Sequence, residues 1–436
     1  MRNIALSILF VIYTANSVIA QNKSFNLNDP KIIQLKDALI PQKSSSTNFS
    51  DATLSREFAL NPIVQSKDYL QINDTIILDL FSDKQYRAYI DKIDLDVNGS
   101  LTVRARMVNY QFGYCVISSF NGKSFMTVEV PENNELFMSR YNPQTKKYFL
   151  LQIDKTKQKF LEGSEPITPP SQNMPNNSSN KNLPQDLFIT QQLKSAPVVS
   201  GNTVKSQSLI NNTTTRDTIT VMIVYTPAAA LWSRNNETDI NNTISQIMTT
   251  SQLALDNSNS LITLKLVYSA QVNYTELNNA NDLYNLTEFG DGMMEDVHTW
   301  RDAYCADVVV LLENIEFTGG LGWQLNSASG LPDYAFSLNR VQQASFSYTT
   351  IHEIAHNLGC HHHKQQILEP GPGLNSYSAG WRWTSPSGIT YCSVMTSPEG
   401  KYFADGKSSI RVPYFSNPDI QYQGIPVGNA VDADNA

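Results

Sequence analysis

Five of the six histidines in the 436-residue chain fall inside one stretch, "TTIHEIAHNLGCHHHKQQ", residues 349–366. His352, Glu353 and His356 form H-E-x-x-H. On a helix, residues four apart share a face, so both imidazoles can reach one ion. Glu353 then sits beside the ion rather than pointing at it, the place for a base that takes a proton from metal-bound water. The spacing predicts a helix over 346–358, with Ser345 as its N-cap. Gly359 ends that helix, because glycine takes the left-handed cap conformation at low cost. The chain can then turn back and bring His362 in as a third ligand. Three protein ligands leave an open position for water, which suits catalytic rather than structural zinc. H-E-x-x-H alone is short enough to arise by chance, and the extension through Gly359 to His362 is much more specific. His361 and His363 flank His362 in an extended segment, so they should face away from the ion.

The elements that must position these residues begin at Thr218. "TITVMIVYTP" is a continuous apolar, β-branched run, the pattern of a buried strand ended by Pro227. A helix is expected over about 239–253. "ITLKLVYSAQV" reads as a second strand, "GMMEDVHTWRDAY" has helical spacing, and "ADVVVLLE" reads as a third buried strand. All five tryptophans lie beyond Thr215, so this half holds the larger core. Alternating strands and helices predict an α/β domain over 216–436. Upstream, "LTVRARMV", "YCVISSF", "SFMTVEV" and "YFLLQID" are short strand-like runs, with Asn-Gly turn signals in "VNGS" and "FNGK". They predict a small β-rich domain within 21–161. Pro-, Asn- and Ser-rich sequence from Leu161 to Gln185, continuing polar to Thr215, reads as a linker over 162–215.

The histidine stretch resembles the metzincin zinc peptidases, whose pattern H-E-x-x-H-x-x-G-x-x-H is matched by "HEIAHNLGCHH". Metzincins also keep a Met-turn below the zinc, and "CSVMTS" places Met395 at a suitable distance. More of the chain is similar to one reprolysin-like branch, the peptidyl-Asp metalloendopeptidases. The matching stretches are "VMIVYTPAA", "DGMMEDVHTWRDAYCADVVVLL", "GGLGWQ" and "VPYFSNPDIQYQGIPVGNAVDADNA", which cover most of 219–436. The resemblance implies a metzincin-type α/β (α+β) catalytic domain. It implies zinc on His352, His356 and His362, with Glu353 as base and Met395 in the turn. It also implies protein or peptide substrates, with cleavage next to Asp, and a substrate-pairing strand at "GGLGW". The sequence departs from the pattern in places. His363 follows the third ligand where reprolysin-like sites usually place Asp. Ser397 stands where astacins and serralysins place Tyr, which argues against those branches. The chain ends at "DADNA", where relatives continue.

The remaining chemistry-bearing residues carry less. Cys360 lies between zinc ligands and Cys392 lies three residues before Met395. Both segments approach the metal, so a Cys360–Cys392 disulfide is expected. Cys115, in "FGYCVISSF", could act as a thiolate inhibitor of the zinc, but its strand context favours a buried core thiol. His298 reads as structural, and Asp333 and Tyr334 fall in a loop that could face substrate. Arg301, Arg340 and Arg382 are candidates, by charge alone, for reading an Asp side chain.

The net charge of −8 and the lack of a basic stripe argue against nucleic acid as partner. Arg2, the apolar run Ile4–Tyr13 and small Ala20 before Gln21 read as a secretory signal over 1–20. About ten apolar residues are too few to span a bilayer, and no later run is long enough for a membrane anchor. The expectation is a secreted zinc endopeptidase made as a proenzyme, its β-rich domain being the propeptide. The alternative is a secreted binding or adhesion protein with an inactive metzincin domain, against which the intact Glu353 speaks. Nothing in the sequence fixes an oligomeric state.

Overall fold

The computed structural model describes residues 24–26, 49–58, 60, 62–142, 144–157, 159–170 and 215–436. The secretory-signal reading over 1–20 and most of the linker lie outside the described residues. The chain divides into two units. One holds the residues up to Leu95 together with Leu101–Asp154, and the other holds Asp96–Ser100 and Lys155–Ala436.

The first unit is a nine-stranded sheet. Its strands are β1 (Ser24–Asn26), β2 (Ala52–Phe58), β3 (Thr75–Phe81), β4 (Lys84–Leu95), β5 (Leu101–Met107), β6 (Tyr114–Phe120), β7 (Lys123–Val130), β8 (Glu135–Asn142) and β9 (Lys147–Ile153). Their spatial order is β1-β3-β4-β5-β6-β7-β8-β9-β2, antiparallel throughout except for the parallel β1–β3 pair. Burial alternates along β3, where Ile76, Leu78 and Leu80 point into the core. Asn121 and Gly122 turn β6 into β7 with φ of 49° and 72°, the left-handed pair that a tight hairpin needs. Cys115 on β6 is buried in this core, and burial pushes its thiol far up from the usual range.

The second unit is built on a five-stranded sheet, β11-β10-β12-β14-β13. The strands are β10 (Asp217–Tyr225), β11 (Ile262–Gln271), β12 (Val308–Glu313), β13 (Gly320–Gly322) and β14 (Phe336–Arg340). The first four run parallel, and β13 lies antiparallel on the edge beside β14. Val221–Val224 and all of β12 are buried, which is why these strands read as unbroken apolar runs. The crossovers carry helices α1 (Pro227–Asn236), α2 (Ile240–Asn257), α3 (Asn281–Thr287) and α4 (Glu295–Tyr304). Thr226 and Asp239 cap the first two of these through side-chain oxygens, as helix starts require.

Two short helices follow β14: α5 (Val341–Ala344) and α6 (Thr349–Asn357). The helix expected over 346–358 is shorter, and Ser345 does not cap it. Ser345 closes α5 and gives its hydroxyl hydrogen to buried Glu237, so its oxygen is not at the start of α6. Tyr348 stands at that start without a side-chain cap. Every residue of α6 is buried, against β12, β13 and β14.

Residues 161–170, part of the stretch read as a polar linker, are extended and bonded to the sheet edge. Ser164 N and Ile167 N donate to Gly320 O and Gly322 O, both at 2.9 Å. In return Gly319 N donates to Glu162 O at 2.9 Å and Gln324 N to Ile167 O at 2.8 Å. This strap runs parallel to the edge at Ile167 and Trp323. These four bonds are all main-chain, so side-chain periodicity gave no sign of them.

Candidate metal centre

α6 sets His352 and His356 one turn apart, with their Nε2 atoms 3.1 Å from each other. The helix ends in a left-handed residue, Gly359, at φ 92°. Cys360 N bonds back to Ala355 O and Gly359 N to His356 O, the closure that reverses a chain at a helix end. His362 then returns, and its Nε2 lies 3.1 Å from that of His352. Among the described residues this is the one group of three or more His, Cys, Asp or Glu side chains close enough to share an ion.

The outer nitrogens explain why the inner ones face each other. Nδ1 of His352 bonds Val394 O at 2.9 Å, and Nδ1 of His362 bonds Glu369 O at 3.0 Å. Nδ1 of His356 bonds Cys360 O at 3.0 Å, with Gln324 Oε1 at 3.1 Å. A carbonyl accepts only, so each Nδ1 carries the hydrogen and each Nε2 presents a lone pair. Three lone pairs converging in a buried space repel unless a cation sits between them. Tetrahedral zinc with Zn–N of about 2.0–2.1 Å places its nitrogens about 3.4 Å apart, close to the spacing here. The residues fit a metal ion. Burial also pushes the three imidazoles toward neutrality, His352 down to about 3 and the other two well below their ordinary value.

His363 points elsewhere. Its ring stacks on Trp381 at 5.6 Å and meets the edge of Phe403. His361 accepts the His362 N–H at its own Nδ1 and is not in the converging group.

Glu353 lies in α6 with both carboxylate oxygens buried and without a hydrogen-bond partner. Glycines enclose it. A Cβ on Gly320 or Gly163 would come within 2.5 Å or 2.7 Å of Oε1, and one on Gly322 within 3.3 Å of Oε2. Only backbone can pass this close, which accounts for Gly320 and Gly322 of "GGLG", while a Cβ on Gly319 would run into Leu161 O. Burial, then the like charge of Glu369, holds the Glu353 carboxyl well above the usual carboxylate range. A cation beside it opposes that push.

Met395 is buried in a turn closed by Thr396 N bonding Ser393 O. Its neighbour Val394 supplies the carbonyl that holds His352, so this turn and the first histidine are directly tied. Cys360 and Cys392 are not joined. Both are free thiols, and Cys392 Sγ is turned toward Thr396 O at 3.7 Å. Burial raises the two thiols to about 12 and about 11.

The cations selected by charge are committed elsewhere. Arg301 bonds the carbonyls of Ala306, Asp307 and Pro332. Arg340 bonds Ile315 O, Lys159 O and Glu316. Arg382 pairs with Asp405 and stacks on Phe403. The cation that reaches the centre is Arg411, which sequence reasoning missed. It belongs to β17 (Ile410–Arg411), which pairs with β16 (Thr390–Cys392) beside β15 (Arg382–Thr384). Its Nε and Nη2 bond Thr396 O at 3.1 and 2.9 Å, and Nη2 bonds Glu162 Oε2 at 2.6 Å. The available signal was a lone Arg inside the apolar run "IRVPYF". Tyr402 and Glu369 were also missed, and both line a small cavity with His352, His362, Glu162 and Gly163. His298 sits between the rings of Phe289 and Phe336, away from the centre. Tyr334 packs on Trp323, and Asp333 lies in the same short 3-10 turn.

Residues 215–416 match the family model Reprolysin_5, described as metallo-peptidase family M12. The peptidyl-Asp metalloendopeptidase of Stenotrophomonas maltophilia is 32% identical over 219 residues, which are 50% of this chain and 49% of that one. The protein of the same name from Xanthomonas campestris pv. campestris is 32% identical over 180 residues, 41% of this chain and 40% of that one. The chain thus spans about half the length of the curated relatives it matches or less. Metalloproteinase-II from Bacteroides fragilis aligns over 67% of this chain and 83% of that chain, at 12% identity and a TM-score of 0.38, too loose a match to add to the argument.

Proposed function

We propose, from the premise that residues 215–416 form the metallopeptidase domain of family M12 that they match, that this protein is a secreted zinc endopeptidase made as a proenzyme. The observation that carries the reading is the convergence of three lone-pair Nε2 atoms beside an unpartnered carboxylate, Glu353. His352, His356 and His362 would hold the ion. What the ion supplies when bound is Lewis acidity and a water of lowered pKa. Glu353 takes a proton at one of its two free oxygens and returns it to the leaving amine. β13 offers edge N–H and C=O groups to an extended peptide above Glu353, as it does to the strap. The carbonyls on each Nδ1 keep the imidazoles in the metal-binding tautomer.

The preference is proposed to be for bonds next to Asp, because the relatives bear that name and a buried guanidinium borders the centre. The adhesion alternative has no observation in its favour, since an inactive domain has no use for a buried, unpaired Glu353.

The test is the product sequences from a proteome digest, run with and without a zinc chelator. Chelator-sensitive cleavage clustered at Asp supports the reading. Cleavage that ignores the chelator, or none by any processed form, sinks it.

A further inference from the structure

We propose that Arg411 reads an acidic side chain of the substrate, and that Glu162 holds that position in the full-length chain as an internal stand-in. The inference rests on the endopeptidase reading and adds a residue to it.

Arg411 is almost fully buried, with its side chain 11% exposed, and Glu162 with it at 9%. One side of the guanidinium is anchored on Thr396 O, next to Met395. The strap supplies the Glu162 carboxylate at 2.6 Å, and the Phe160 ring just ahead of the strap has its centroid 5.8 Å away. That strap lies where an extended substrate would lie, along β13 and over Glu353. Gly163 follows Glu162 directly, and a side chain there would enter the space of the Glu353 carboxylate. The acidic residue therefore sits one position from the chain's closest approach to the base. Its second oxygen, Oε1, is buried without a partner, in the cavity that His352 and His362 line. Without the strap, the guanidinium faces the open centre with its Glu162 partner gone. A neutral peptide laid over it would bury the charge unpaired, which is costly, and the planar fork donates best to a carboxylate. An incoming peptide with Asp or Glu at this position restores the pair, and a neutral one does not. The three arginines chosen by charge have no such vacancy, because the strap gives none of them a carboxylate partner.

The experiment uses full-length chain carrying Glu353→Gln, so that the probe is not consumed, and Glu162→Gln, so that Arg411 is released. Binding of acetyl-Ala-Asp-Ala-amide and of its Asn counterpart is measured by calorimetry. The Asp peptide should bind roughly tenfold tighter or more, and adding Arg411→Gln should erase the difference. If Arg411→Gln does not fold, Arg411→Lys keeps the charge without the fork and should cut the preference by about severalfold. Independently, Glu162→Gln alone should speed hydrogen exchange at the Gly319 and Gln324 amides by about tenfold. Equal binding of the two peptides, or a preference that survives loss of Arg411, overturns the proposal. So does unchanged exchange at those amides. Acid-selective binding without hydrolysis by any form keeps the proposal and removes the endopeptidase reading. Hydrolysis without acid selection does the reverse.

Discussion

Glu353 has no hydrogen-bond partner among the described residues, and three glycines press backbone around it. Glu353→Gln keeps the shape and removes the proton acceptor. Peptide hydrolysis should fall by about 10²–10⁴-fold, the usual worth of a positioned base, while metal analysis still finds one zinc per chain. Loss of zinc together with activity would make Glu353 a ligand or a fold determinant instead. His362→Ala should lose zinc and nearly all activity. His361→Ala and His363→Ala should keep zinc, because neither ring joins the converging nitrogens. Zinc lost from either of these but retained in His362→Ala would break the assignment. The convergence of the three histidines was legible because their spacing is local, with eleven residues holding all three. Arg411 was not, because its meaning depends on Glu162, 249 positions away. The same holds for Cys360 and Cys392, whose approach to one centre suggested a bond that the two thiols do not make.

At the scale of elements, the helix end at Gly359 is what delivers His362. A Cβ there would sit 2.8 Å from Leu374 Cβ, at a φ of 92°. Gly359→Ala should cost about 1–2 kcal/mol for the left-handed backbone alone, and denaturant titration should show it. Zinc affinity should fall in the same variant, and an unchanged affinity would separate the turn from the site. β12 carries a second testable feature. Glu313 is buried with both oxygens unpartnered, and burial, then the nearby charge of Asp282, holds its carboxyl well above the usual range. A raised value means that the folded chain keeps a proton the unfolded chain releases. Its cost to stability is therefore absent below the unfolded value and grows as pH rises toward the folded one. Glu313→Gln should raise the melting temperature at pH 8 and change little at pH 4, by scanning calorimetry. An equal shift at both pH values would refute the charge argument. The buried strands β10 and β12 were plain in the sequence because both faces are covered. The start of α6 was not, because a tertiary partner, Glu237, claims the serine that local rules assign as a cap.

Over the whole molecule, the β-rich unit followed by an α/β unit was readable from the switch of hydrophobic period. The extent of the linker was not, since the strap is polar in composition and held by main-chain bonds. The mature protein is expected to begin between about Ser195 and Thr218, just ahead of the first strand of the α/β sheet, and N-terminal sequencing of the active secreted form checks this. A start at Gln21 would remove the propeptide assignment. The hold of the strap has a consequence for how such a cut would act. Four main-chain hydrogen bonds join it to the edge, and at about 1 kcal/mol net each they correspond to a dissociation constant near 1 mM for a free peptide. A tether supplies an effective concentration of up to about the same size. Those bonds alone leave the strap near balance between docked and free, and the pair between Glu162 and Arg411 tips it toward docked. Severing the chain after the strap removes that tether, and dilution, with no further chemistry, then empties the edge.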